Sequence, residues 1–372
     1  GAALLLCDRG DLRRHASAPY INRSGKAAFI LQVQNIYRIA AYMALDPQRR
    51  AGYSPAMANS PILSPTDGTL NAAVQALRSG ALVAFPTETV YGLGADATDE
   101  TAVARIFEAK GRPRFNPLIS HVADAQSAFS LGDFSPVAKV VAERFWPGPL
   151  SIVVKRATDC PIAWLTSAGL DSIALRVPAH PLAHDLLARA DRPIAAPSAN
   201  RSGRISPTQA EHVASELGDR VEMILDGGPC TVGIESTVVD LSGSSPVLLR
   251  LGAVTREMLT EIVGPLREPA VGGPLASPGM MTSHYAPDCP VRLDVAKPIP
   301  GEAYLGFGPV PAGENTLSLS VSGDLVEAAA NLFQMLRTLD HSAINAIAVA
   351  PVPQHGLGAA INDRLHRAAA DR

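Results

Sequence analysis

Cysteine is scarce in this chain of 372 residues, which contains four: Cys7, Cys160, Cys230 and Cys289. None of them forms a C-x-x-C pair, and no group of histidines and cysteines has the spacing of a zinc site. The scatter argues against a zinc module. It is typical of a protein from a reducing compartment, in which each cysteine is a small core residue or a bystander.

A surplus of positive charge is also missing. The chain has 32 Lys and Arg against 35 Asp and Glu, so its formal net charge is −3. Proteins dedicated to gripping DNA or RNA usually carry a basic surplus. We therefore expect no stable nucleic-acid binding, although a local basic groove is compatible with this charge.

No hydrophobic run is long enough to suggest a membrane span. The most apolar stretch, residues 27–45, is interrupted by three amide side chains and by Arg38. The start of the chain does not have a signal-peptide layout, because Asp8 and Arg9 follow a short leucine run. We expect a cytoplasmic protein that does not bind a membrane.

What the sequence does contain is an alternation of apolar, β-branched runs with amphipathic helical stretches, and its length predicts two domains. Residues 1–60 lack such periodicity and predict a poorly structured N-terminal extension. Residues 61–263 predict an α/β domain, and the Gly- and Pro-rich residues 264–288 predict a linker. Residues 289–372 predict a small, doubly wound, Rossmann-like unit without a G-x-G-x-x-G loop.

Two polar segments follow predicted strands early in the α/β domain. Residues 86–94 turn on two glycines, which let the backbone approach a ligand closely, although an ordinary strand exit has the same pattern. Residues 110–117 place three cations at a helix end, where they suit phosphate oxygens or complement the helix dipole. His121, which follows, is either structural or a base that takes a proton from an amine near neutral pH.

Two further polar segments lie later in the same domain. In residues 172–181, Ser172 and Arg176 alternate onto one face of a strand, and an arginine there needs either a bound carboxylate or an internal Asp or Glu. Residues 195–208 are rich in hydroxyls and amides. They lead into a predicted helix over residues 206–217, whose serine and proline suit the first positions. Such an end either binds an anion or is simply a capped loop.

The sequence shows no Ser/His/Asp or Cys/His nucleophile set, no Walker-type phosphate loop and no H-E-x-x-H motif. Its polar segments hold the kinds of group that bind and neutralise phosphate and carboxylate. This composition favours catalysis by positioning and charge stabilisation over covalent attack.

These segments also have a familiar order. PTETVYGLGADA, KGRPRFNPLISHV, WPGPLSIVV, ALRVPAHP, APSANRSGRISPT, GIESTVVD and LLRLG occur here as they do in YrdC-like proteins. With the later SPGMMTSHYAP, the chain resembles the long, two-domain form of that family, the threonylcarbamoyl-AMP synthases, from about Asp67 to the C-terminus. The resemblance implies a twisted, mixed α/β sheet with a concave basic cleft, followed by an ordered linker and a Rossmann-like domain.

The resemblance implies a reaction as well. The amine of L-threonine and bicarbonate give a carbamate, whose oxygen attacks the α-phosphorus of ATP and releases diphosphate. This is the first step in forming N6-threonylcarbamoyladenosine in tRNA. Magnesium is expected to be carried by the phosphates, because no Asp/Glu cluster marks a metal site built by the protein. The expected downstream partner is the tRNA threonylcarbamoyl transferase complex.

Matching the family's motifs assigns site residues. The positions matched to ATP binding are Arg112, Asn116, Ser172, Ser198, Ser206, Arg250 and Tyr285. The positions matched to threonine binding are Thr89, His121, Arg176, Ala196 and Ser236. The K-x-R and S-x-N signatures give the catalytic set Lys110, Arg112, Ser198 and Asn200, with Lys110 and Asn200 neutralising phosphate charge.

Three of these assignments carry a specific expectation. Arg176 would pair the carboxylate of threonine, Ala196 would act through its backbone, and Tyr285 would reach over the nucleotide so that the linker serves as a lid. One position departs from the family pattern, because Thr282 stands where an aromatic residue is frequent. The expected grip of the linker is weaker for that reason.

Two other functions compete with this interpretation. Carbamoyl transfer through carbamoyl-adenylate occurs in longer relatives with paired C-x-x-C zinc elements, which this chain lacks. An RNA-binding or ribosome-maturation module without turnover would use the basic surface of the domain. The net charge of −3 and the absence of motifs that combine aromatic and basic residues argue against it.

Overall fold

The computed structural model of the protein describes residues 61–269, 284–341 and 343–371. The extension predicted over residues 1–60 lies outside the described residues. So does the middle of the predicted linker, residues 270–283, which includes Thr282.

Nine helices form within the described residues. They are α1 (Asp67–Arg78), α2 (Glu100–Lys110), α3 (Ala125–Leu131), α4 (Pro136–Phe145), α5 (Pro181–Ala190), α6 (Ala210–Leu217), α7 (Arg256–Val263), α8 (Leu325–Leu339) and α9 (Leu357–Ala369). Thr66 caps α1 by accepting a hydrogen bond from the backbone N–H of Thr69. None of the described helices combines the length and apolarity needed to cross a membrane.

Eleven of the described strands form one large, mixed sheet. They are β1 (Ile62–Leu63), β2 (Val83–Phe85), β3 (Gly92–Asp96), β4 (Ile119–His121), β5 (Gly132–Asp133), β6 (Leu150–Arg156), β7 (Ser172–Arg176), β8 (Ile194–Ala195), β9 (Met223–Leu225), β10 (Thr237–Asp240) and β11 (Val247–Arg250). Their order is β1-β9-β2-β3-β8-β4-β7-β6-β10-β11, with β5 paired to β6. Pairing is parallel between β4 and β7 but antiparallel between β7 and β6, so the predicted mixed α/β fold is confirmed.

The turn after β2 is tighter than the sequence predicts. Residues 86–94 read as a loop, but the chain returns at once as β3, antiparallel to β2, with Val83 opposite Gly94. A Cβ on Gly94 would lie 2.7 Å from a ring carbon of Phe85, so a larger residue would collide there. Glycine is depleted in strands, which is why the pattern did not reveal β3.

The helix predicted over residues 206–217 is wrong at its start. α6 begins at Ala210, and Gln209 is its N-cap. The preceding segment has tertiary partners instead: the Ser206 hydroxyl donates to Glu235, and the Pro207 carbonyl accepts from the Tyr91 N–H at 2.9 Å. The helix starts later than predicted because these residues form long-range hydrogen bonds instead of capping it.

A second, smaller sheet follows along the chain. It contains β12 (Val291–Arg292), β13 (Glu302–Gly306), β14 (Thr316–Ser318) and β15 (Ala346–Val349) in the order β12-β15-β13-β14, with every pairing parallel. We call this sheet with α8 and α9 the C-terminal layer. Its parallel strands and crossover helix match the predicted doubly wound unit.

The C-terminal layer shares its core with the rest of the chain. Its cluster of buried apolar side chains takes in Val90, Ile205 and Ile234 from the large-sheet region, and the two sheets belong to one compact unit. Gly233 lies so close to α8 that a Cβ there would be 2.5 Å from the Ala329 carbonyl oxygen. The boundaries predicted at residues 263 and 288 stay predictions, because packing is continuous across the two layers.

We expect Phe333→Ala in α8 to lower the free energy of unfolding by about 3–5 kcal/mol, since it empties a fully buried position in this shared core. Urea denaturation measures the change. Val326→Ala in the same helix is the matched control, because Val326 is 61% exposed and should change stability by less than about 0.5 kcal/mol. Equal effects of the two substitutions would contradict the placement of α8.

Candidate active site

Most of the polar segments identified in the sequence converge on one chamber at the edge of the large sheet. The chamber admits water-sized molecules over a volume of about 40 Å³. That is far less than the few hundred Å³ of a typical small-molecule pocket, so a ligand of nucleotide size must displace part of the lining. The lining residues are Thr89, Val90, Arg112, Ile119, His121, Arg176, Ala196, Pro197, Ser198, Glu235, Ser236, Arg250, His284 and Tyr285.

Arg176 lies at the end of β7 and already has a protein partner. Its Nη2 is 2.5 Å from Oε1 of Glu88, and its Nε donates to the Gly148 carbonyl at 3.2 Å. The other oxygen of Glu88 accepts from the backbone N–H of Ala179 at 3.0 Å. The internal ion pair considered for this arginine is therefore present. The guanidinium still lines the chamber, so a carboxylate ligand can approach it there.

His121 is paired in register with Arg176 on the neighbouring strand and is 2% exposed. Burial, reinforced by the charge of Arg176, lowers the pKa of His121 to about 3. An imidazole with that pKa is too weak a base to take a proton from an amine near neutral pH in this closed chamber. Its Nδ1 is buried without a hydrogen-bond partner in the described structure, so the neutral ring offers one unsatisfied polar atom to a ligand.

Two more arginines approach the chamber from other elements. Arg112, just after α2, donates to the backbone carbonyls of Asn116 and Pro117, the latter at 3.1 Å. Arg250, at the end of β11, donates to the Ser236 carbonyl at 2.9 Å and to its hydroxyl at 3.0 Å. Burial, with repulsion from Arg250, lowers the pKa of Arg112 to about 9. Burial also lowers the pKa of Arg250, so an anion between them would stabilise both charges.

Lys110 holds the serine and asparagine loop rather than facing the chamber. Its Nζ is 2.5 Å from the carbonyl oxygens of Ser198 and Asn200, and 3.5 Å from Oδ1 of Asn200. The side chain is 3% exposed, and burial together with the charge of Arg112 lowers its pKa well below the usual range. Lys110 therefore contacts the backbone of Ser198, which lines the chamber, while Lys110 and Asn200 lie outside the described lining; their role in neutralising phosphate charge stays a prediction.

The end of the linker closes the chamber. Tyr285 takes a positive φ of 63°, uncommon for a bulky residue, and its ring stacks on Phe333 of α8 with centroids 5.4 Å apart. The next residue, Ala286, donates its N–H to the Gly203 carbonyl at 2.9 Å. His284 is buried beside Tyr285, with ring centroids 4.1 Å apart. These contacts place the predicted lid residue in the lining.

The structure does not bring every predicted residue into the chamber. Ser172 starts β7 opposite Lys155, at the end of the strand away from Arg176 and outside the lining. Asn116 and Ser206 are also outside the lining but contact residues that belong to it. The Asn116 carbonyl accepts a hydrogen bond from Arg112, and the Ser206 hydroxyl donates one to Glu235.

Sequence reasoning did not single out three residues that line the chamber or pair with its lining: Glu88, Glu235 and His284. Glu88 lies in the motif PTETVYGLGADA, and Glu235 lies in GIESTVVD. The several cations expected in the site were a signal for them, because buried cations need nearby carboxylates to balance their charge. His284, beside the predicted Tyr285, lines the chamber as well.

Known proteins match this chain over both layers. Residues 75–252 match the Sua5/YciO/YrdC family, described as telomere recombination, and residues 254–370 match the threonylcarbamoyl-AMP synthase C-terminal domain. Over 320 residues the chain is 43% identical to threonylcarbamoyl-AMP synthase of Pyrococcus abyssi, covering 80% of this chain and 92% of that protein. This chain belongs to the threonylcarbamoyl-AMP synthase family.

Two further relatives agree with that membership. The threonylcarbamoyl-AMP synthase of Bacillus subtilis is 40% identical over 334 residues, covering 83% of this chain and 95% of that protein. The crystal structure of P. abyssi Sua5 complexed with L-threonine superposes with a TM-score of 0.77 at 38% identity, covering 83% of this chain and 98% of that one. The two-layer architecture is thus that of a threonylcarbamoyl-AMP synthase of the long form.

We expect His121 to make stability depend on pH. Above its ordinary pKa of 6.5 the ring is neutral whether folded or unfolded; below that, the unfolded chain binds a proton that the folded chain refuses until about pH 3. The free energy of unfolding should therefore fall with decreasing pH, by about 1.4 kcal/mol per pH unit from this residue. In His121→Gln that slope, measured by urea denaturation between about pH 6 and pH 4, should be smaller by this amount.

The exposed His355 provides the control for this measurement. His355→Gln changes an exposed side chain outside the lining of the chamber, and it should keep the parent slope. An unchanged slope in His121→Gln would show that the ring of His121 can be protonated in the folded chain.

Proposed function

We propose that this chamber forms threonylcarbamoyl-AMP and diphosphate from L-threonine, bicarbonate and ATP, as the first step of N6-threonylcarbamoyladenosine formation in tRNA. The observation that carries the proposal is the convergence of three buried arginines, Arg112, Arg176 and Arg250, on one space. Three buried cations demand anionic partners. ATP and the carboxylate of threonine supply them.

Threonine is proposed to bind on the side formed by the ends of β4 and β7. Its carboxylate meets Arg176, whose partner Glu88 fixes the guanidinium in place. The backbone at Ala196 and the side chain of Thr89 lie in the same part of the lining, and the Thr89 hydroxyl is 2.8 Å from that of Thr87. A neutral His121 beside an uncharged amine is compatible with attack by that amine, because it adds no competing positive charge.

ATP is proposed to bind on the side of Arg112 and Arg250. Their guanidinium groups come from elements distant in sequence and lie in one lining, so a polyphosphate can bridge them. Ser198 faces the same space, and Lys110 holds its carbonyl. The Ser236 hydroxyl bonds both Arg250 and Ser151.

The bonds that change are few. The threonine nitrogen forms a bond to the carbon of bicarbonate, and water leaves to give the carbamate. A carbamate oxygen then forms a bond to the α-phosphorus of ATP, while the bond to the bridging oxygen of diphosphate breaks. Fixed positive groups that stabilise charge developing on the phosphates account for this type of catalysis without a covalent enzyme intermediate.

Magnesium is proposed to enter with ATP, bound by the phosphate oxygens. Among the described lining residues Glu235 is the one carboxylate, and it is already held by Arg364 at 3.1 Å. That donor set suits an ion carried by the substrate better than one resident in a cage of protein ligands. The ion would supply neutralisation of phosphate charge.

The product is a mixed anhydride of carbamate and phosphate, which water destroys readily. We therefore propose that it passes to the tRNA threonylcarbamoyl transferase complex soon after release. Because the reaction needs ATP and serves tRNA, we propose a cytoplasmic location.

A direct assay tests the reaction. With ATP, bicarbonate, threonine and magnesium, we expect diphosphate release together with an adenylate of the mass of threonylcarbamoyl-AMP. Leaving out threonine should abolish both signals. Diphosphate release that does not depend on threonine would contradict the proposal. Tight, salt-sensitive RNA binding without turnover would instead favour an RNA-binding module.

We expect Arg176→Ala to raise KM for threonine by at least about 100-fold, because a buried, charge-assisted carboxylate contact is lost. KM for ATP should change much less. Steady-state diphosphate release measures both constants. Glu88→Gln is the control, since it removes the partner of the guanidinium but leaves the guanidinium itself, and its effect on KM for threonine should be smaller. If Arg176→Ala raised KM for ATP more than KM for threonine, the proposed contact between Arg176 and the threonine carboxylate would be wrong.

A further inference from the structure

Arg364 is a fully buried arginine of α9, far along the chain from the chamber. Its Nε donates to Oε2 of Glu235 at 3.1 Å, and its Nη1 donates to the Leu251 carbonyl at 2.6 Å. Glu235 immediately precedes the lining residue Ser236, and Leu251 immediately follows the lining residue Arg250. One guanidinium therefore holds both chain segments that carry the Ser236–Arg250 contact.

The same contact extends to the segment before α6. Glu235 uses its other carboxylate oxygen, Oε1, to accept the Ser206 hydroxyl. A second arginine of the C-terminal layer reaches this segment independently, because Nη2 of Arg337 in α8 donates to the Ile205 carbonyl and to Glu216. Two arginines of the C-terminal layer thus fix residues 205–206 from two directions.

Arg364 also supports the linker end. Its guanidinium carbon lies 5.5 Å from the centroid of the Tyr285 ring, within the range of a cation–π contact. The ring is held from another side by Phe333. Tyr285 and Glu235 both line the chamber, so Arg364 touches two lining residues without facing the chamber itself.

The charge balance explains why an arginine is needed at this position. Glu235 is 6% exposed and lines a chamber proposed to receive a triphosphate. Without a cation behind it, its negative charge would repel the phosphates and would itself be buried and unpaired. Asp363 also contacts Arg364 at 3.0 Å, which keeps the guanidinium charged in the interior.

We propose that Arg364 is a positioning residue for the nucleotide half of the active site, through which the C-terminal layer sets the orientation of Glu235, Arg250 and Tyr285. The proposal rests on the proposed function. It assigns the C-terminal layer a part in ATP binding through the lining residues that it holds, in addition to its share of the core.

The test separates nucleotide positioning from folding. In Arg364→Met we expect KM for ATP to rise by about tenfold or more and KM for threonine to change by less than about twofold, since the lost contacts lead to the nucleotide side. Arg367→Met in the same helix is the matched control. The Nε of Arg367 donates to Asp363 at 3.0 Å rather than to Glu235 or Leu251, and both constants should stay near the parent values.

A double variant tests the route through Glu235. Adding Glu235→Gln to Arg364→Met removes the uncompensated carboxylate, so KM for ATP should recover in part. A role in folding alone would lower the amount of active enzyme and leave the two KM values in their original ratio. An equal rise in both constants, or no recovery in the double variant, would overturn the proposal.

Two further measurements cover the remaining outcomes. Should Arg364→Met fail to fold, Arg364→Lys retains the charge but cannot donate to Glu235 and Leu251 with the same fork. KM for ATP should again rise selectively in Arg364→Lys, but by a smaller factor than in Arg364→Met. Should the parent protein release no diphosphate, the proposed function fails by itself. Direct calorimetric binding of ATP to the parent and to the Arg364 variant then decides the positioning role.

Discussion

The burial of several cations around one small chamber is the constraint on which the structure depends. Arg112, Arg176 and Arg250 come from three separate elements, and each costs free energy in a low-dielectric interior unless anions or dipoles meet it. Backbone carbonyls and Glu88 provide part of that compensation. The remainder is left for a ligand, and the proposed anionic substrates would supply it.

The burial of charge around the chamber also determines how the C-terminal layer is joined to the large sheet. Glu235 lines the chamber, and the cation that balances it is Arg364 from the last helix. The apolar core crosses the same boundary, since Ile205 and Ile234 pack into the cluster of the C-terminal layer. Gly233 permits this close approach to α8. Electrostatics and packing therefore make the C-terminal layer part of the site's framework.

The sequence predicted much of the fold because periodicity is a local property. Apolar, β-branched runs alternating with amphipathic helical stretches predicted the mixed α/β fold that the large sheet shows. The local pattern failed where tertiary contacts compete with it. β3 is rich in glycine and forms because β2 and β8 pair with it, while α6 starts late because Ser206 bonds Glu235 instead of capping a helix.

The sequence by itself determined the family, the chemistry of the side chains and the segments from which the chamber is built. These properties depend on the order of residues within short motifs, which can be identified without knowing the fold. The tertiary structure alone decided what each side chain faces. It paired Arg176 with Glu88, turned Lys110 toward the carbonyls of the loop and left Ser172 outside the lining. The physical reason is that partners distant in the chain compensate a buried charge, and their distances follow only once the sheet is assembled.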